Sequence, residues 1–110
     1  MSPTDPSPET YDRWFELLSD GIRRRLLLEL SSRFPPPVSV SVPDDIARPD
    51  EDPDSLHLRL SHVHLPKLAE AQVVDWNREE GVVSTGPAFE SIFPLIQAIE
   101  AHDEFEMERG

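Results

Sequence analysis

The stretch that decides the fold is Leu65-Pro66-Lys67-Leu68-Ala69-Glu70-Ala71-Gln72-Val73-Val74-Asp75-Trp76, at positions 65–76. Its first half carries apolar residues at helical spacing, with Leu65, Leu68 and Ala69 on one side. Its second half places two valines before a tryptophan, a composition that is typical of a β-strand. The stretch therefore predicts a helix that leads directly into a strand.

The segments on either side extend this unit into a helix followed by a hairpin. Upstream, the apolar pattern predicts that the helix starts at Ser55 and ends near Ala71, with Pro66 kinking or splitting it. Downstream, Asn77–Gly81 is turn-like and Val82–Thr85 predicts the return strand. The helical wheel assigns Leu56, Leu60 and Val63 to the inner face, and Ser55, Leu58, Arg59 and His62 to the outer face.

The rest of the chain predicts further helices and one short strand. Thr10 is expected to cap a first helix and Ser19 or Asp20 a second, and a last helix is expected from about Phe89 or Ser91. The predicted segments are a helix at Tyr11–Leu18, a second helix from its cap to near Arg33, a short helix at Pro43–Ala47, a strand at Val38–Val42, an acidic loop at Arg48–Asp54, and a last helix ending at His102. The expected organisation is a disordered or extended N-terminal tail at 1–9, one domain at 10–102 and an acidic C-terminal tail at 103–110.

This order of elements resembles the winged helix-turn-helix regulators, and most of all the ArsR-type group. In that group the recognition helix carries a His-Leu-x-x-Leu pattern before two aliphatic residues of the wing, and the match here is His64, Leu65 and Leu68, followed by Val73 and Val74. The segment 15–27 is similar to the leading helices of the same regulators, and the run as a whole is similar to small winged-helix proteins of haloarchaea. The resemblance implies a mainly α fold with a small β-hairpin (α+β), and a transcriptional regulator that binds double-stranded DNA.

The sequence departs from the family pattern at three places. The turn residue between helix and wing is commonly Gly but is Gln72 here, and Pro66 interrupts the recognition helix. The connection Arg48–Asp54 is long and acidic, where the usual turn has three or four residues. The acidic connection is the most important departure, because it would lie near the DNA backbone.

The composition is strongly acidic. The chain has 22 Asp and Glu against 10 Lys and Arg, a formal net charge of −12, and arginine far outnumbers lysine. An acidic surface of this kind is typical of proteins adapted to concentrated salt, which we expect here. The absence of cysteine excludes disulfides and thiol nucleophiles, and no apolar run approaches the roughly 18 residues of a membrane span. We expect a cytoplasmic location without membrane association.

Some side chains could contact DNA through the helix and the wing. Ser55, Arg59 and His62 could reach base edges, with Arg59 suited to guanine, and Lys67 and Arg78 could touch phosphates. The alternative is an ordinary solvated surface, since Glu79 and Glu80 flank Arg78.

Other clusters favour structural roles. The run Arg23-Arg24-Arg25 is expected to pair with nearby acids more than to bind phosphate. His62 and His64 would not share one helical face, so no metal is expected, and His64 is expected to pack or to form hydrogen bonds. No cofactor and no enzyme activity are expected, because phosphate loops and nucleophile motifs are absent from the sequence.

The apolar stripes at the two ends of the domain suggest a homodimer. The candidate interface residues are Trp14, Leu17, Leu18, Phe93, Ile96 and Ile99. Two functions therefore stay open: a homodimeric DNA-binding regulator, and a winged-helix module that binds a protein partner instead of DNA.

Overall fold

The computed structural model describes residues 6–35 and 38–109, with side chains up to residue 102. The elements are α1 (Pro8–Leu18), α2 (Gly21–Arg33), β1 (Ser39–Ser41), α3 (Pro53–Arg59), a π-helical turn (Leu60–His64), α4 (Leu65–Glu70), β2 (Val74–Asn77), β3 (Val82–Thr85) and α5 (Phe89–Arg109). The segment 53–70 is continuous, and we call it the composite helix. This is the α+β architecture of winged-helix type that the sequence predicted.

The first two helices are defined by side-chain caps. The Ser7 hydroxyl accepts a hydrogen bond from the Thr10 amide at 3.2 Å, so α1 begins at Pro8 instead of after Thr10. Proline is well suited to this first turn because it has no N–H to satisfy there. The Asp20 carboxylate accepts from the amide of Ile22 at 2.8 Å and caps α2, as predicted. Residues 1–5 of the predicted N-terminal tail lie outside the described residues.

The three strands form one antiparallel sheet in the order β1-β3-β2. Val83 is aligned with Val40 on one side and with Trp76 on the other. Val40 and Val83 are completely buried, so this face of the sheet packs on the core. The predicted hairpin is therefore confirmed as β2–β3, with β2 displaced by one residue toward the C-terminus.

The segment Pro43–Ala47 forms turns and not the predicted short helix. Two helical-type bonds are present, from the Asp45 amide to the Ser41 carbonyl at 2.8 Å and from the Ala47 amide to the Pro43 carbonyl at 2.9 Å. Propagation stops there because Arg48 precedes Pro49, and a residue before proline disfavours the helical conformation.

The composite helix contains the largest local departure from prediction. It starts at Pro53, two residues before Ser55, with Asp52 as its cap. Ahead of Pro66 the helix widens into the π turn, in which the Leu65 amide donates to the Leu60 carbonyl. A proline ring clashes with the carbonyl four residues earlier in a regular α-helix, and a widened turn makes room for it. The helix is thus neither split nor ended by Pro66.

The widened turn changes which side chains face inward. Leu56 and Leu60 are buried as predicted, but Val63 is 45% exposed and His64 is only 6% exposed. A π turn adds one residue to the helical repeat, so the inward position after Leu60 passes to His64. The assignment of Val63 to the inner face was wrong for this reason.

The last helix, α5, runs past His102 to Arg109 and so includes most of the segment predicted as a C-terminal tail. Phe89, Ile92 and Ile96 of α5 are buried against the core. Helix α5 packs mainly on α2. No helix within the described residues combines the length and the apolar character that crossing a membrane requires.

Candidate nucleic-acid interface

The arginine run at the start of α2 is used for internal contacts. Arg23 is 6% exposed and donates to the carbonyls of Leu17 at 2.7 Å and Glu16 at 3.1 Å. Arg24 donates to the carbonyl of Leu18 at 2.8 Å. These carbonyls form the C-terminal end of α1, where cations are favoured by the helix dipole and by unsatisfied acceptors. Arg23 and Arg24 therefore satisfy the free carbonyls at the C-terminal end of α1.

Arg25 holds the acidic connection against α2. Its guanidinium contacts both carboxylate oxygens of Glu51, at 2.6 and 3.1 Å, and donates to the Ile46 carbonyl at 2.9 Å. The hydrogen bond from Arg25, and a second one from the Arg48 amide, lower the pKa of Glu51 to about 2. Arg25 thus pairs with an acid of the connection, as predicted for the arginine run, whereas Arg23 and Arg24 donate to backbone carbonyls instead of pairing with acids.

His64 is the centre of a buried polar cluster that joins the composite helix to the α1–α2 junction. Arg23 Nη1 lies 3.0 Å from His64 Nδ1, and His64 Nε2 lies 3.7 Å from Asp20 Oδ1. A guanidinium only donates, so Nδ1 accepts and the ring proton sits on Nε2, facing the carboxylate. Burial lowers the pKa of His64, Asp20 opposes this, and the charges of Arg23, Lys67 and Arg59 reinforce it.

The sequence predicted a hydrogen-bonding role for His64, which this cluster confirms. It did not identify Arg23 or Asp20 as the partners, because the contact between Arg23 and His64 spans 41 positions. The only local signal was the capping residue Asp20, which the sequence did single out.

The three candidate base-reading residues lie on the exposed side of the composite helix. Ser55, Arg59 and His62 are all exposed. The Ser55 hydroxyl donates to Asp52 Oδ2 at 2.9 Å, within the helix cap. Arg59 and His62 line a shallow depression together with Leu58 and Val63. The structure therefore brings Arg59 and His62 together and leaves Ser55 engaged at the helix start.

The electrostatic character of this face differs from that of the chain as a whole. Residues 55–69 include no Asp or Glu, in a protein that has 22. The Arg59 guanidinium makes no hydrogen bond or ion pair with the residues that the structure describes. Its charge is therefore available to an external partner.

Lys67 and Arg78, the two candidate phosphate contacts, are less available to an external partner than Arg59 because each already contacts a side chain of the protein. Lys67 Nζ lies 3.3 Å from Glu16 Oε1, and both side chains are largely exposed. The Arg78 guanidinium lies 4.4 Å from the ring centroid of Trp76, a cation–π contact that orients it at the wing. Glu79 and Glu80 beside it are exposed. The exposed ion pair between Lys67 and Glu16 is weak, so Lys67 can exchange Glu16 for another anion.

Most candidate dimer residues belong to the core of the single chain. Trp14, Leu17, Leu18 and Ile96 are at most 6% exposed. Phe93 and Ile99 are partly buried and pack against the same core. The apolar surface that stays open between α1 and α5 is a groove of about 410 Å³, lined by Phe15, Leu18, Leu95, Ala98, Ile99 and His102. Burial in the core thus leaves Trp14, Leu17 and Ile96 little surface to offer a second copy.

The histidines of the composite helix do not converge. His64 points into the core, whereas His57 Nε2 lies 3.4 Å from the Ser61 hydroxyl on the exposed side. In the described part of the chain, no three His, Asp or Glu side chains are grouped as a metal ion would require.

Comparison with protein families identifies one match. Residues 15–84, well over half of the chain, match a family described as a domain of unknown function, DUF7344. The chain belongs to the DUF7344 family. The matched region runs from α1 through β3 and so contains both the buried His64 cluster and the exposed face of the composite helix. No curated protein and no solved structure matches the chain.

Proposed function

We propose that this DUF7344 protein is a transcriptional regulator that binds double-stranded DNA as a homodimer. In this proposal the outer face of the composite helix enters the major groove and the β2–β3 hairpin lies along the adjacent backbone. The observation that carries it is that Arg59 pairs with none of the described residues and lies exposed in a stretch, 55–69, without Asp or Glu.

The use of cations elsewhere in the chain strengthens this argument. Arg23, Arg24 and Arg25 are engaged with carbonyls or carboxylates of the protein itself. Within the described residues the Arg59 guanidinium has no such partner, and positions 55–69 around it contain no Asp or Glu. A guanidinium can donate two parallel hydrogen bonds to the O6 and N7 atoms of guanine, which fits the role proposed for Arg59.

The net charge of −12 opposes DNA binding at low salt. In molar salt the Debye length falls to about 3 Å, so acids away from the interface repel phosphate little. Direct contacts to base edges act at short range, so salt weakens them less than it weakens the electrostatic attraction between basic side chains and DNA phosphates. The proposed function therefore requires concentrated salt, which agrees with the salt adaptation inferred from composition.

A second candidate function is a protein-interaction module that retains the winged-helix fold without binding DNA. Two observations favour it: Glu79 and Glu80 at the wing are exposed, and the α1–α5 groove is apolar and open. Phosphates would be repelled by the wing acids, whereas a protein could dock in the groove.

The deciding experiment selects duplexes from a random 30-base-pair pool with the purified full-length protein in 2 M KCl. Fluorescence anisotropy then measures the affinity of the selected duplex for wild type, Arg59→Ala and Arg13→Ala. The Arg13→Ala control removes the same charge from α1. The Arg13 side chain is 48% exposed, and its guanidinium forms a long ion pair of 3.9 Å with Glu70.

We expect Arg59→Ala to weaken binding by about 1–3 kcal/mol, or roughly 5- to 150-fold. Arg13→Ala is expected to stay within about twofold of wild type. Failure to enrich any duplex, or equal affinity of Arg59→Ala and wild type, would reject the proposed reading face. Size-exclusion chromatography with light scattering in the same buffer tests the homodimer.

A further inference from the structure

Two large apolar side chains stand out from the exposed side of the composite helix. Leu58 is 59% exposed and Val63 is 45% exposed. Together with Arg59 and His62 they line a shallow depression of about 310 Å³. Isolated exposed apolar residues are common, but here two flank the one guanidinium of this helix.

The π turn creates this arrangement. In an uninterrupted α-helix, Val63 would continue the buried row of Leu56 and Leu60. The additional residue of the π turn directs Val63 outward and His64 inward. The helix therefore gives up the burial of one valine, and the valine joins Leu58 beside Arg59. π turns inside α-helices are frequent at functional sites, which makes this placement informative.

The chemistry of the depression fits one feature of DNA. The major groove offers a single prominent apolar group, the 5-methyl of thymine, and apolar side chains read it by contact. Guanine offers the acceptor pair that suits Arg59. A protein partner for the same face would need its own acids to match Arg59, whereas DNA supplies both the negative charge and the methyl groups.

We propose that Leu58 and Val63 recognise thymine methyl groups next to a guanine read by Arg59. This inference rests on the proposed DNA-binding function and deepens it, since it names the base composition of the target. The target contains a guanine with thymine on at least one side within each half-site.

The test removes only the methyl groups. The duplex selected in 2 M KCl is synthesised again with deoxyuridine in place of each thymidine near the guanine. Burying a methyl contributes enough to expect about a fourfold loss of affinity for each contacted group. Base pairing and the hydrogen-bonding edges are unchanged in the deoxyuridine duplex, so the loss reports apolar contact.

The variants Leu58→Ala and Val63→Ala identify the contacting side chains. Each is expected to bind the two duplexes more equally, because the variant lacks the surface that contacts the methyl. Phe15→Ala is the control: Phe15 is 56% exposed but lies on α1, so this variant should discriminate like wild type. Leu58 and Val63 are exposed, and their truncation leaves the core intact.

The outcomes separate the two proposals. Wild-type binding that is equal for thymidine and deoxyuridine duplexes overturns the methyl inference and leaves DNA binding standing. The absence of any selected duplex rejects DNA binding and the methyl inference with it. Discrimination that persists in both alanine variants overturns the assignment to Leu58 and Val63.

Discussion

Replacing His64 tests the cluster that ties the composite helix to the α1–α2 junction. His64→Leu removes the acceptor for Arg23, a side chain that is 6% exposed and already bonded to two carbonyls. A hydrogen bond to a charged group contributes about 1.5–3 kcal/mol, and the partner loses it without gaining water. We therefore expect His64→Leu to lower the free energy of unfolding by about 1.5–3 kcal/mol at pH 8. His64→Asn keeps an acceptor near the position of Nδ1, and it should cost less.

The same residue predicts a pH dependence. Burial lowers the pKa of His64 in the folded protein below its ordinary value of 6.5. Above pH 6.5 the imidazole is neutral in both states, so its contribution to stability is fully present there. As the pH falls below 6.5 the unfolded chain binds a proton that the folded chain resists, and stability is lost at no more than about 1.4 kcal/mol for each pH unit.

Urea denaturation followed by tryptophan fluorescence at pH 8 and pH 5.5, at constant ionic strength, measures both effects. Wild type should lose more stability on acidification than His64→Asn, which does not titrate. The control is His62→Asn, because His62 is exposed on the same helix and should behave like wild type. A His64→Asn protein that loses as much stability as wild type between these pH values would refute the reasoning, as would an unchanged stability of His64→Leu.

Three further predictions concern the backbone and the acidic connection. Gly86→Ala should destabilise the fold by about 1–3 kcal/mol in thermal melts, because a Cβ there would lie 2.4 Å from the Gln72 carbonyl oxygen. Gly21→Ala is the control: the nearest atom to its Cβ would lie at 3.7 Å, so stability should change by less than about 1 kcal/mol. Gln72→Gly should stabilise by up to about 1 kcal/mol, because Gln72 has a φ of 65°, which glycine adopts without strain; an equal or lower melting temperature would contradict this. The carboxyl of Glu51 should titrate at about 2 by NMR and return toward 4.5 in Arg25→Ala, so stability from this pair is present above pH 4.5 and lost as the pH falls toward 2; an unshifted titration in wild type would exclude the pair.

The order of elements could be read from the sequence because it depends on local periodicity. The transition from helix to strand at 65–76 and the hairpin that follows are set by apolar spacing and by turn residues such as Gly81, which has a φ of 67°. Gln72 has a φ of 65° at the turn between the composite helix and β2, a backbone conformation that glycine adopts without strain. Membership of the DUF7344 family covers the same segment.

The exposure of the candidate site followed from the sequence only in part. Ser55, Arg59 and His62 were placed correctly on the outer face because they precede the π turn or lie within its first residues. Val63 was misplaced, since a one-residue change of helical register has no signature in apolar spacing. Pro66 was visible in the sequence, but a kink, a break or a π turn would each remove the clash between its ring and the carbonyl four residues earlier.

What the sequence by itself determined is the order of helices and strands and the acidic character of the chain, because both depend on composition and short-range periodicity. The winged-helix type was implied by the family resemblance. Only the tertiary structure decided how the charges are used. It engaged the arginine run with carbonyls and with Glu51, turned His64 inward to Arg23, and left Arg59, between Leu58 and Val63, without a partner among the described residues. The contacts of His64 with Arg23 and of Arg25 with Glu51 join residues 41 and 26 positions apart, and such contacts exist only once the helices have packed.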